Sequence, residues 1–246
     1  MNVATFDKDE KVEVDFGDGE LKEFTLSDTP QEISGEVKGA NIKVYTASGV
    51  QLKDFDASGM KLTNVNIFKS KALKNLNLND NELSEIDLSG NLSFNSIQLD
   101  NNKLTTLSLR GINNTTMLSC DNNQLESIVF EASAPVLSNI SCSGNKLKNL
   151  SFLSRASSVE VLDFSHNEVS DYMFTTMYNI RDLNMSYNKF KSADLAYNTK
   201  LEKLNIEGNY FTYSTLPQTT AQEFVYGNQN PVTIAEKSFM VDLSSE

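Results

Sequence analysis

His166 is the only histidine in the chain, and it stands directly after Ser165 and three residues after Asp163. An acid, a serine and an imidazole are the parts of acyl transfer, but that chemistry also needs an oxyanion hole and a pocket. A lone histidine does not make the usual zinc site. Asp100 and Asp121, with Asn79, Asp80, Asn101 and Asn122 beside them, offer the oxygen ligands that calcium takes. Cys120 and Cys142 are too few for a disulfide framework or a cysteine zinc site. Asp15-Phe16-Gly17 spells the kinase magnesium tripeptide, yet no glycine-rich loop, strand lysine or catalytic loop surrounds it. Its extension DFGDGE lacks the acidic spacing of a helix–loop–helix calcium loop. The triplets Asn91-Leu92-Ser93 and Asn114-Thr115-Thr116 arise by chance in an Asn- and Ser-rich chain. No activated nucleophile, acid pair or phosphate loop stands out, so the expectation is a protein without catalysis or cofactor.

What must position these residues is a repeat. Leu73 to Leu88 reads LKNLNLNDNELSEIDL, or L-x-x-L-x-L-x-x-N-x-L-x-x-I-x-L. The slot asparagine recurs at Asn81, Asn102, Asn123, Asn145, Asn167, Asn188 and Asn209, at intervals of 21 or 22. One register earlier, Leu52, Phe55, Ala57, Leu62, Val65 and Ile67 fill the apolar slots, with Met60 where asparagine would stand. That makes eight turns, and a fixed period of this length is the signature of a solenoid.

In each turn the segment around Leu76 and Leu78 alternates in and out, which is a short strand with one buried face. Stacked turns align these strands in parallel, with right-handed crossovers. About ten residues remain for the return leg, so the convex side is expected to be extended or 3₁₀, with little α-helix. The slot asparagines serve as a ladder, their amides bonding backbone groups where the chain leaves the sheet. Met60 falls at the first turn, where no earlier turn needs bridging. Cys120 and Cys142 share one inward slot on adjacent turns and read as buried free thiols; neighbouring parallel strands suit a disulfide poorly.

These residues resemble the leucine-rich-repeat family over roughly residues 50–216. The 21-residue spacing, with cysteine replacing leucine in LSCDNNQL and ISCSGNKL, looks like the repeats of internalins and related bacterial surface proteins. The GDG hairpin before the repeats and the STLP…FVYGNQNP segment after them are similar to the flanks of such proteins from gut and oral anaerobes. The resemblance implies a β-rich α/β solenoid with a curved parallel sheet, and a role in adhesion or interaction at a bacterial surface.

Three domains follow: a β-rich cap over 1–46, repeats over 47–216, and a C-terminal cap with the start of a further segment over 217–246. In the first, Val12, Val14 and Phe16 lead through Gly17-Asp18-Gly19 to Leu21, Phe24 and Leu26, a β-hairpin. A second strand pair is expected around Ile33–Val37 and Ile42–Thr46. In the last, Phe224 and Tyr226 are placed to close the core, and the stretch from Val232 reads as the start of another β segment.

The positions that alternate outward on the strands form three columns. Asp54, Asn75, Ser96, Met117, Asn139, Val161, Asp182 and Lys203 make one. Asp56, Asn77, Gln98, Ser119, Ser141, Asp163, Asn184 and Asn205 make the next, and Ser58, Asn79, Asp100, Asp121, Ser143, Ser165, Ser186 and Glu207 the last. Of these 24 positions seven are acidic and one is basic, so the face is polar and negative. Asp100 and Asp121 fall opposite each other, a like-charge pair that destabilises unless a cation such as calcium or solvent screens it. Seven of the eight tyrosines follow residue 170, with Tyr187 and Tyr210 expected at the strand-exit rim beside His166. Exposed aromatics beside amides suit a sugar or a protein hot spot. The candidate binding residues are therefore Asp163, Asp182, Asn184, Asn205, His166, Tyr187 and Tyr210.

A net charge of −12 argues against nucleic acid or an anionic membrane as partner. No apolar run approaches the roughly 18 residues a membrane helix needs, so no membrane insertion is expected of this segment. The N-terminal residues have no basic n-region or apolar h-region. The functional expectation is a cell-surface or secreted module that binds a protein ligand. A carbohydrate-capture domain beside an uptake system, and a cytoplasmic scaffold in which free cysteines are unremarkable, are the alternatives.

Overall fold

The computed structural model describes residues 1–231 except 40, 68, 69, 111, 132 and 135. The stretch from Val232 onward, read above as the start of a β segment, lies outside the described residues.

The N-terminal unit contributes β1 (Asn2–Thr5), β2 (Glu10–Asp15), β3 (Leu21–Leu26), β4 (Gln31–Glu32) and β5 (Lys43–Thr46). The β2–β3 hairpin forms as expected, with Val12 opposite Phe24 and Val14 opposite Lys22. Asp15 Oδ1 accepts the N–H groups of Gly17 and Gly19 at 2.7 and 2.9 Å and closes the hairpin loop. The expected second strand pair does not form. Ile33–Val37 is not a strand, and β5 instead joins the free edge of β2, Val44 opposite Val14. The N-terminal unit joins the repeats: β1 pairs antiparallel with the first repeat strand and covers that sheet edge, with β4 outside it. Covering an edge in this way removes a row of unpaired backbone groups.

The repeats supply β6 (Leu52–Asp56), β7 (Asn75–Asn77), β8 (Ser96–Gln98), β9 (Thr106–Leu109), β10 (Met117–Ser119), β11 (Ser127–Phe130), β12 (Asn139–Ser141), β13 (Val161–Asp163), β14 (Asp182–Asn184), β15 (Lys203–Asn205) and β16 (Glu223–Val225). Nine of them, all but β9 and β11, stack in parallel in chain order. β9 and β11 pair with each other on the return leg. Two 3₁₀ turns, Ser151–Arg155 and Phe174–Thr176, complete the convex side, and no α-helix occurs among the described residues. A return of about ten residues leaves no room for one.

The solenoid runs one coil further than the asparagine count implies. β16 pairs with β15 through Phe224 opposite Leu204. Phe224 packs partly against the core, while Tyr226 leans on it from outside with ring centroids 5.3 Å apart. Phe224 is thus a repeat-strand residue, and Tyr226 remains exposed.

The ladder geometry is uniform. Asn102 Nδ2 donates to the carbonyls of Leu99 and Asp100 in its own turn and of Leu78 one turn back. Its Oδ1 accepts the Leu83 N–H at 3.1 Å. Asn81, Asn123, Asn145, Asn167, Asn188 and Asn209 repeat this pattern. Because each amide reaches backward, the first turn needs none, and Met60 stands there with its N–H donating to Asn81 Oδ1. The last rung among the described residues is Gln229: its Nε2 donates to the carbonyls of Ile206, Tyr226 and Gly227, and its Oε1 accepts the Phe211 N–H.

Cys120 and Cys142 lie fully buried as free thiols, and burial pushes both well above the ordinary thiol range. Two convex asparagines that the template does not mark, Asn91 and Asn198, are also buried. Each donates to two carbonyls one turn back: Asn91 to Ser70 and Leu73, Asn198 to Phe174 and Met177. The triplet at Asn91 is therefore a packing feature.

Candidate binding face and rim

The parallel register fixes the columns. Asp54, Asn75, Ser96, Met117, Asn139, Val161, Asp182 and Lys203 follow one another across the sheet and continue to Glu223. Asp56 through Asp163, Asn184 and Asn205 form the column beside it and continue to Val225.

Side chains on this face bond to one another across turns. Asp100 Oδ1 accepts the Ser119 hydroxyl at 2.6 Å and the Asp121 N–H at 2.7 Å. Asp121 does the same one turn on, with the Ser141 hydroxyl at 2.7 and 2.8 Å and the Ser143 N–H at 2.6 Å. Hydroxyl and amide donors thus meet the Asp100–Asp121 repulsion, and no group of three His, Cys, Asp or Glu side chains able to hold a metal occurs among the described residues. The geometry gives the calcium expectation no support. Burial raises the Asp121 carboxyl above its ordinary range, against the pull of its Ser141 and Ser143 donors, with Asp100 and Asp163 adding to the rise.

The C-terminal turns carry the other candidates. Asp163 Oδ1 accepts the Ser165 N–H and hydroxyl at 2.8 and 2.7 Å, and its Oδ2 accepts Asn184 Nδ2 at 2.8 Å. Asn184 Oδ1 accepts the Ser186 hydroxyl at 2.7 Å, and Asn205 Oδ1 accepts the Glu207 N–H at 3.0 Å. Asp182 is half-buried; desolvation raises its carboxyl, Lys203 opposes that, and Asp163 and Glu223 add to it. Asp163, Asp182, Asn184 and Asn205 therefore lie together on β13 to β15. Ser165 is buried and bonds to Asp163 and to the Ser143 hydroxyl. The ring of exposed His166 lies against Tyr187 instead, so the three do not form a triad.

The rim has an order of its own. The residue before each ladder position is left-handed in nine consecutive turns: Gly59, Asp80, Asn101, Asn122, Gly144, His166, Tyr187, Gly208 and Asn228, with φ between 51° and 68°. Glycine, aspartate and asparagine fill seven of these, as left-handed backbone favours. Histidine is enriched there alongside asparagine and aspartate, whereas a bulky tyrosine is an outlier. Those two are adjacent and touch: the His166 and Tyr187 rings stack with centroids 4.3 Å apart and planes 9° from parallel. On the far side of Tyr187, Gly208 makes room, since a Cβ there would sit 2.5 Å from Tyr187 Cδ1. Toward the N-terminus the string is polar, with Asn101 Nδ2 donating to Asp80 Oδ1 at 2.8 Å and Asn122 Nδ2 to Asn101 Oδ1 at 3.0 Å.

Tyr210 does not belong to this group. It follows its ladder asparagine and sits half-buried, its N–H donating to the Phe190 carbonyl, in the position Lys189 and Glu168 occupy in the preceding turns. The column of His166 and Tyr187 holds Gly208 at that turn. Tyr178, Tyr197 and Tyr213 are exposed in the stretches between strands, so most of the C-terminal tyrosines are not on the concave face. The left-handed column was visible as the Gly, Asp or Asn preceding five of the seven slot asparagines; Gln229 carries no such sign, being a longer amide at an interval of 20.

No protein-family model and no curated relative matches the chain. Among solved structures, 44 chains match. One is the functional domain of InlJ from Listeria monocytogenes, which includes a cysteine ladder. It is 22% identical with a TM-score of 0.61, over 72% of this chain and 43% of that one. Another is internalin C2 from the same species, 18% identical with a TM-score of 0.52, over 68% of this chain and 80% of that one. The chain thus spans less than half the length of the InlJ domain. At these identities the likeness establishes the fold.

Proposed function

We propose that this chain, whose fold is that of the internalin leucine-rich repeats, is a non-catalytic binding module whose concave face takes a protein ligand. The observation that carries this reading is the open outer face of the nine parallel repeat strands, where exposed Met117 and Val161, with Asn139 between them, lie among half-buried and exposed polar side chains. Exposed apolar side chains set within a polar surround are features of protein interfaces. The short side chains of the face are already held by hydrogen bonds across turns, so little rotamer entropy is lost on docking. The 21-residue period and the flanking segments support display on a bacterial surface or secretion, and no helix among the described residues is long and apolar enough to cross a membrane.

The test is selection of peptides from a displayed library on the whole chain. Selected peptides are then measured against Asp163→Ala/Asn184→Ala and against Tyr178→Ser/Tyr197→Ser. Loss of binding in the first variant alone supports the concave face. Loss in the second alone sends the function to the return side of the coil and overturns the reading.

A further inference from the structure

Resting on the protein-binding reading above, we propose that the His166–Tyr187 stack is the anchor of the binding face and that it takes an arginine guanidinium of the partner. At eight of nine turns the rim uses a residue suited to left-handed backbone; it departs from that at Tyr187, whose ring meets that of His166 in the preceding turn at 4.3 Å. Asparagine, present at Asn101 and Asn122 in the same column, holds this conformation more readily than tyrosine does. The fold therefore does not require the aromatic pair, and Tyr187 remains 43% exposed. Exposed, flat and rigid aromatic surface at the margin of a polar face is what interface hot spots use.

The surroundings select a cation. Glu207, whose carbonyl receives the Tyr187 N–H at 2.7 Å and whose Oε1 accepts Asn228 Nδ2, has no ion-pair partner among the described residues, and neither has Asp163, whose carboxylate accepts Ser165 and Asn184. The nearby cations are engaged, Lys189 with Glu168 at 2.8 Å and Lys203 with Glu223 at 3.1 Å. The chain as a whole carries −12. A planar guanidinium lies flat on a ring and meets a carboxylate with a fork of donors; an ammonium is a compact, strongly hydrated point charge and does neither as well.

The experiment follows the His166 and Tyr187 ring signals by NMR on the whole chain, titrated with N-acetylarginine methylamide, N-acetyllysine methylamide and methyl α-glucoside. The arginine compound is expected to shift both rings, the lysine compound to bind about three- to tenfold more weakly, and the glycoside to have no effect. In His166→Asn/Tyr187→Asn, which restores the ordinary rim residue, arginine binding is lost while the unfolding midpoint holds. Equal responses to arginine and lysine, a response to the glycoside alone, or a large fall in the midpoint of the double variant overturns the proposal. Library peptides separate this from the broader reading. If they depend on Asp163 and Asn184 but not on Tyr187, the binding face stands and only the arginine anchor falls; if they ignore both, the binding face falls too.

Discussion

Asn123 donates from Nδ2 to the carbonyl of Leu99, 2.9 Å away and one full turn earlier in the solenoid. The same amide holds the Cys120 carbonyl at 3.2 Å, and its oxygen takes the Leu104 N–H at 3.0 Å. Asn123→Ala leaves these buried backbone groups without partners, which costs about 1–3 kcal/mol. The urea midpoint is expected to fall at an unchanged slope. Gln229→Ala is expected to shift it less, because Gln229 is half-buried at the last described coil and water reaches the groups it serves. Equal midpoints for Asn123→Ala and the parent protein would remove the ladder from the account of stability.

The repeats were legible because each turn writes the same apolar slots, and strand alternation then dictates which residues face outward. What was not legible depends on stacking. Asp100 and Asp121 read as a repelling pair, and only the placement of Ser119 and Ser141 one turn on supplies their donors. Tyr210 was misplaced for a simple reason: it follows its ladder asparagine where Tyr187 precedes its own, and that two-residue offset moves a side chain from one column to another. The cap was read only in part. Its hairpin carries alternation and a turn signal, whereas the pairing of β1 with β6 brings together segments some fifty residues apart in a way no local pattern announces.

Cys120 and Cys142 are fully buried, and burial keeps both thiols protonated well above their ordinary value of 9.0. The thiolate is the reactive form. A disulfide exchange reagent at pH 8 is therefore expected to find neither thiol in the folded protein and both in urea. Prompt release from one of them without denaturant would mean that the coils around β10 and β12 open locally.

Asp15 is held below the ordinary aspartate value of 3.8 by the Gly17 and Gly19 N–H groups, with Lys43 at 3.5 Å contributing less. A depressed carboxyl stabilises the fold above its unfolded pKa and loses that contribution as pH falls through the folded value. Asp15→Asn is therefore expected to lower the thermal midpoint at pH 7, and its gap from the parent protein to close as pH is taken below 3.8. A gap of the same size at pH 3 and pH 7 would exclude the charge as the source.

Gly208 and Tyr187 are coupled by space: a Cβ on Gly208 would lie 2.5 Å from Tyr187 Cδ1 and 2.8 Å from Cε1, and Gly208 has φ +68°. Gly208→Ala therefore carries two penalties, a left-handed alanine of about 1–2 kcal/mol and displacement of the Tyr187 ring from His166. Tyr187→Asn removes the second and leaves the first. In a double-mutant cycle followed by urea unfolding, Gly208→Ala is expected to destabilise the parent protein more than it does the Tyr187→Asn background, with a coupling of about 0.5–2 kcal/mol. Tyr187→Asn alone gains a residue suited to left-handed backbone and loses only the stack, so its midpoint is expected to stay level or rise. A coupling of zero would mean that the ring moves aside without loss and that the stack with His166 is not held in place.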